Sequence, residues 1–213
     1  MDPNVLIDGL IMYLSLVILL TFHEFGHAWM ALKCGDDTAQ QQGRVSINPL
    51  VHIDPIGTVL MPLLMIFTSP ALARFMIGWA KPVPVNAANL RNPKLDDILV
   101  TMAGPWMNLM LAVILIGLAK VAQIAGYAPM AGFCLDSARM SLVLFFFNLI
   151  PIPPLDGSHV VRVLIGLSYE TYWRIARFGF IAVIIVLQFP WVSRTLRSVT
   201  ETSLRIIKSW FGM

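Results

Sequence analysis

Two histidines stand four residues apart, with a glutamate between them, in His23-Glu24-Phe25-Gly26-His27. On an α-helix, positions i and i+4 lie one above the other, so both imidazoles project to the same side. Two neutral ring nitrogens at that spacing can share one metal ion. Glu24, about 100° round the helix, then stands beside the ion rather than on it. A carboxylate in that place can act as base toward a metal-activated water, the arrangement of HExxH zinc hydrolases. Zinc lowers the pKa of its water to roughly 7, which makes hydroxide available at neutral pH. The setting strengthens this reading, because three ionisable groups lie together in an otherwise apolar run. Such groups in a lipid-spanning helix are costly and mark function by default.

Two histidines leave a zinc site one protein ligand short. Asp36, Asp37, His52, Asp54, Asp156 and His159 are the candidates. Asp156 has the most suggestive setting, in Asn148-Leu149-Ile150-Pro151-Ile152-Pro153-Pro154-Leu155-Asp156-Gly157. Prolines 151, 153 and 154 break the helix there, and Gly157 lets the chain turn sharply beside the carboxylate. Non-helical backbone at membrane depth persists only where protein buries it or it lines a cavity. Asp156 can also cap a helix starting at Ser158, and the two roles are compatible. His52 and Asp54 read as loop residues.

Asn148 is an amide inside the apolar stretch Leu144–Ile150, costly there unless it is hydrogen-bonded. Eight residues before Asp156, it can offer its NH₂ to a developing oxyanion, or bond to a neighbouring helix. Asn108, with Gly104 and Pro105 before it, reads as a site of close helix packing.

The elements that must hold these residues are membrane helices. Of 213 residues, 57% are hydrophobic and only 13% charged, where a soluble domain carries roughly 25% charge. The mean hydropathy is +0.75. These values exclude a soluble enzyme, a disordered chain and a coiled coil. Five apolar stretches, at about 6–33, 57–79, 98–123, 133–150 and 172–190, reach the length that crosses roughly 30 Å of hydrocarbon. The first begins without a basic leader or cleavage site and reads as a retained helix rather than a signal peptide. Pro82 and Pro84 alternate after the second stretch, which forbids helix and favours an extended segment. Cys34 and Cys134 lie far apart with no CxxC spacing, so they read as small apolar fillers.

The net charge of +3 is concentrated at the end of the chain, where Arg194, Arg197, Arg205 and Lys208 face only Glu201. That pattern is a basic tail at a membrane surface, not a nucleic-acid binder. Val192, Leu196, Val199, Ile206 and Trp210 fall near one helical face, as in an interfacial helix. The expected organisation is a membrane domain over 1–190 and a basic amphipathic tail over 191–213.

The sequence resembles the site-2 proteases, zinc metalloproteases that cut membrane-embedded substrates. The resemblance rests on Phe22-His23-Glu24-Phe25-Gly26-His27 and on the Asn148…Pro154-Leu155-Asp156-Gly157 stretch. Gly78-Trp79-Ala80-Lys81-Pro82-Val83-Pro84-Val85-Asn86 and Met102-Ala103-Gly104-Pro105…Asn108 add to it, in the family's order. The resemblance implies Zn2+ held by His23, His27 and Asp156, with Glu24 as general base. It further implies that Asn148 steadies the scissile backbone or its oxyanion and that Pro154 lines the substrate path. The PDZ or CBS domain common in the family has no counterpart in this sequence. A divalent-metal transporter also places His and Asp in membrane helices, but transport calls for weak ligands spread along a path. An inactive scaffold would have no need of Glu24.

One site built from His23, His27 and Asp156 constrains the topology. His23 lies 17 residues past Leu6, about 26 Å along a helix, and Asp156 likewise follows the end of its segment. The two segments must therefore run parallel, so one of the two apolar runs between them does not cross. Residues 57–79, interrupted by Pro62, Ser69-Pro70 and Arg74, are expected to re-enter. The predicted fold is an all-α, multi-pass membrane protein of four to six transmembrane helices, with a re-entrant or broken segment and short extended stretches near the site. Nine of the fifteen basic residues fall on the site's side, which places it nearer the cytoplasm, with the plasma membrane as the expected location.

Overall fold

The computed structural model describes residues 3–68 and 78–213; Ser69, Pro70 and Arg74 lie outside them. In chain order the α-helices are α1 (Pro3–Lys33), α2 (Thr38–Gln41), α3 (Met61–Thr68), α4 (Pro93–Ile124) and α5 (Ala128–Asn148). They continue as α6 (Asp156–Leu164), α7 (Tyr169–Ala176), α8 (Gly179–Leu187) and α9 (Pro190–Trp210). A π-helical turn, Pro55–Leu60, leads into α3. The described residues form no β-strand, and 78–86 have no regular secondary structure, with Asn86 extended.

Three helices, α1, α4 and α5, are long and apolar enough to cross a membrane. Lipid offers no partners for backbone polar groups, so such runs close their hydrogen bonds within the helix. Pro93 opens α4, with the Asn92 side chain accepting from the Leu95 N–H. The turn into α5 is made at Gly126, whose φ of 78° suits a residue without a Cβ. After Asn148, prolines 151, 153 and 154 have no N–H to continue the ladder.

Side-chain contacts fix the directions. His23, Gly26 and His27 of α1 meet Asn108, Ala103 and Val100 of α4, so these helices are antiparallel. Ser15 of α1 bonds Ser137 of α5, and Leu16 and Leu20 pack with Met140 and Leu144, so α1 and α5 are parallel. The end of α1, the start of α4 and the end of α5 therefore share one side, where the chain proceeds to Asp156.

The segment between α1 and α4 thus leaves and returns on that side. Residues 55–68 run back along α1, with Thr58 beside Thr21 and Ile66 against Gly9. The chain then comes back with Gly78 against Leu16 and with Ala80 packed on Leu16 and Leu20. This is the re-entrant course that the parity argument requires.

The fifth apolar stretch, 172–190, departs from the expectation of a single span. It is divided between α7 and α8, and α8 meets α9 at 83°. Counting α8 and α9 as one bent span gives a fourth crossing, at the low end of the expected number. Pro190 at the first position of α9 marks the bend. Further along α9, Leu204 and Ile207 join Ala112, Ile116, Ala138 and Leu142 in one buried apolar cluster. Its polar side pairs Glu201 with Arg139.

Candidate metal centre

His23 and His27 lie one turn apart on α1 and face α4, where the approach is close. Gly26 admits the Ala103 carbonyl, which would stand 2.8 Å from a Cβ at that position. A Cβ at Gly104 would lie 2.6 Å from His27 Cε1 and 2.8 Å from His23 Cε1. Only glycine leaves room for the two rings, which meet edge to face at 4.7 Å. Asp156 arrives from the other end of the sequence, as the first residue of α6. At a helix N-terminus its carboxylate is favoured by the backbone dipoles.

The three donors converge. His23 Nε2 lies 3.0 Å from His27 Nε2 and 3.2 Å from Asp156 Oδ2, and His27 Nε2 lies 3.5 Å from Asp156 Oδ1. The side chains of His23, His27 and Asp156 are 6%, 12% and 17% exposed. Among the described residues this is the one group of three or more His, Cys, Asp or Glu placed to hold a metal ion.

The chemistry of the donors fits a cation. His27 Nδ1 stands 2.8 Å from the Val100 carbonyl, which fixes the proton on Nδ1 and leaves Nε2 as a lone pair. That lone pair faces a second imidazole nitrogen and a carboxylate, and Asp156 Oδ2 has no hydrogen-bond partner. Acceptors gathered at such distances repel unless a positive charge lies between them. One ligand atom from each of His23, His27 and Asp156 lies within 4.8 Å of the other two, and nitrogen and carboxylate oxygen are the donors that would hold a zinc ion.

Asn108 has a role here that sequence reasoning assigned to packing. It is fully buried, and its Nδ2 lies 3.0 Å from His23 Nδ1 while Oδ1 has no partner. A metal on His23 Nε2 requires a proton on Nδ1, and turning the amide over presents Oδ1 to receive it. The signal was present in the sequence, since a buried amide in an apolar helix needs a partner as much as Asn148 does. Asn108→Leu is expected to weaken divalent-metal binding by about 10–100-fold at unchanged helical content, read by chelator competition and circular dichroism.

Glu24 lies beside the pair, and its Oε2 accepts from the Val83 N–H at 3.1 Å. The segment bearing Val83 is held on several sides. Thr58 Oγ donates to the Trp79 carbonyl, Lys81 N–H to the His52 carbonyl, and the buried Arg44 guanidinium to the Lys81 carbonyl. Asp36, also buried, accepts from the Asn86 N–H, the Asn89 amide and Thr38. Burial alone would raise the Asp36 carboxyl, but the bonds from Thr38, Asn86 and Asn89 hold it below its ordinary value.

The remaining candidates stay out of the cluster. Asp54 caps the Ile56 and Gly57 N–H groups, and His52 bonds the Ser46 carbonyl. Asp37 precedes α2, and His159 packs on the Tyr172 ring. The Asn148 Nδ2 donates to the Leu144 carbonyl of its own helix, which satisfies one of its two N–H groups in an apolar setting. Pro154 is exposed, with Gly179 of α8 packed closely on the Pro153–Pro154 backbone.

Comparisons with known proteins place the chain among named relatives. "Putative zinc metalloprotease YwhC" of Bacillus subtilis is 38% identical over 185 residues, 83% of this chain and 80% of that protein. "Putative zinc metalloprotease Rip2" of Mycolicibacterium smegmatis is 30% identical over 181 residues, 82% of this chain and 65% of that protein. Its namesake in Mycobacterium tuberculosis H37Rv is 28% identical over 145 residues, 66% of this chain and 52% of that protein. The chain thus spans most of the Bacillus protein and about half to two thirds of the mycobacterial ones. No solved structure matches it. The model of peptidase family M50 matches residues 11–133 and 118–187, which include His23, Glu24, His27 and Asp156. The chain therefore belongs to peptidase family M50, the family of the site-2 proteases.

Proposed function

We propose that the protein is a zinc endopeptidase that hydrolyses a peptide bond within or next to a transmembrane segment of another membrane protein. The observation that carries this reading is the convergence of His23, His27 and Asp156, with Glu24 on the same helix. Three protein ligands, rather than four, are what a catalytic zinc site uses, and the remaining position serves water or substrate. Bound zinc supplies Lewis-acid polarisation of a carbonyl and an acidified water.

The protein's own residues do the rest. Glu24 takes the proton of the attacking water and later delivers one to the leaving amine. The Val83 N–H holds that carboxylate in place. Asn148 has a second N–H to offer to a developing oxyanion, and Pro154 lines the approach. A substrate helix hides its carbonyls in backbone hydrogen bonds, so it must unwind locally to be cut. Segment 82–86 can receive the unwound chain. Among the described residues, the Val83 carbonyl and the Val85 N–H and carbonyl have no partner, which leaves an edge for strand addition.

Residues 1–190 form the protease domain in this reading, and 191–213 form its basic tail. The excess of basic residues on the site's side puts the centre nearer the cytoplasmic face of the plasma membrane. The test is reconstitution in lipid with single-span membrane proteins as substrates. Cuts should map by mass spectrometry within or beside the apolar segment, stop on chelation and resume with zinc. Cleavage that survives chelation, or that falls only in soluble loops, would overturn the proposal.

A further inference from the structure

A buried ion pair lies outside the metal centre, and it joins α4 to α6, two of the three helices that build the centre. Asp97, in the first turns of α4, is 4% exposed, and Arg162, in α6, is 7% exposed. The Arg162 guanidinium donates to Asp97 Oδ2, and the Tyr169 hydroxyl donates to Asp97 Oδ1 at 2.8 Å. The guanidinium also stacks 3.8 Å from the Tyr169 ring centroid and donates to the Leu167 carbonyl at 3.3 Å. Burial, and then the Asp97 carboxylate, push the Tyr169 hydroxyl above its ordinary range, so it remains a donor.

Position gives the cluster its consequence. Asp97 stands one turn before Val100, whose carbonyl orients His27. Arg162 stands six residues after Asp156 on the same short helix. No covalent element near the site ties Asp156 to the two histidines, and α6 is only nine residues long. Burying a charge pair is costly, and apolar residues of equal volume often serve folding as well or better. A role in folding alone therefore does not call for this arrangement.

We propose that Asp97, Arg162 and Tyr169 are positioning residues that lock α6 to the N-terminal turns of α4 and so set Asp156 at ligand distance from His23 and His27. The inference rests on the zinc reading above, and its test separates the two. The full-length protein is compared with Asp97→Leu/Arg162→Met, which removes both charges together, and with Arg162→Lys and Tyr169→Phe. The double variant should keep the helical content and melting temperature of the metal-free protein while zinc affinity falls by about 10–100-fold. Cobalt(II) in place of zinc should show altered visible bands, the signature of changed coordination. Arg162→Lys keeps the charge without the planar fork, so an intermediate affinity is expected.

Zinc affinity within about threefold of wild type, with an unchanged cobalt spectrum, overturns the inference. Should the double variant fail to fold, Tyr169→Phe decides the matter. It is expected to weaken zinc about 3–10-fold through loss of one bond to a charged group, and no change overturns the proposal. Failure of the wild-type protein to bind zinc would instead strike the proposed function.

Discussion

Glu24→Gln is expected to lower the rate of cleavage by about 10²–10⁴-fold, the range that a positioned general acid–base contributes. Gln has nearly the volume of Glu, and its amide oxygen can still accept the Val83 N–H. Segment 82–86 therefore keeps its place, and substrate binding should change little. Nor does the substitution touch the three converging donors, so metal content should remain at the wild-type value. The amide lacks the basicity to take a proton from water, and that is the step lost. Turnover of a reconstituted membrane substrate, with zinc per protein measured on the same sample, checks both halves. Cleavage within about tenfold of wild type removes Glu24 from the base's role. Loss of zinc along with activity makes it a ligand or a structural support instead.

The centre was readable from the sequence to the extent that its chemistry is local. His23, Glu24 and His27 sit on a single helix, so 3.6 residues per turn fixes their relation without further knowledge. The Asp156 carboxylate is different, because nothing local joins positions 27 and 156. Its proline-rich setting and the resemblance pointed to it, and the parallel course of α1 and α5 explains why it can reach. That course also made the re-entrant segment legible, since three donors at one depth leave one apolar run without a crossing. Other features depend on tertiary contacts that periodicity does not carry. The acceptor for His27 is a backbone carbonyl, at Val100, and no side chain announces it. Gly104 and Pro105 do mark a close helix approach, but the sequence does not show that the partner facing Asn108 across it is His23. Hydropathy makes 172–190 a single span, but Arg174 and Arg177 lie within it and the helix ends at Ala176, with Arg177 as its cap. Asp97 and Arg162 are 65 residues apart, and only folding shows that they share a site.

Asp156→Asn is expected to separate folding from metal binding in the opposite sense to Glu24→Gln. The amide fills the same space at the first position of α6, where the Asp156 side chain makes no capping hydrogen bond that the change would break. In the metal-free protein the carboxylate faces imidazole nitrogens with one oxygen unpartnered, an arrangement selected for binding a cation rather than for stability. Neutralising it should leave the metal-free melting temperature unchanged or raise it, as is common when a functional site is dismantled. A ligand that binds the folded protein alone stabilises it by mass action, so free zinc at 100 times its dissociation constant should add about 2.7 kcal/mol of stability to the wild-type protein. With only His23 and His27 left as strong ligands, affinity should fall by more than the roughly 100-fold upper range for an outer-shell partner. At that same zinc concentration the stabilisation then shrinks to about 0.4 kcal/mol or less. Thermal denaturation with and without zinc therefore distinguishes the two variants before any substrate is known. Glu24→Gln keeps the zinc-induced rise and loses turnover, whereas Asp156→Asn loses both. A full zinc-induced rise in Asp156→Asn would mean that this carboxylate does not hold the ion, whatever its distance from the histidines.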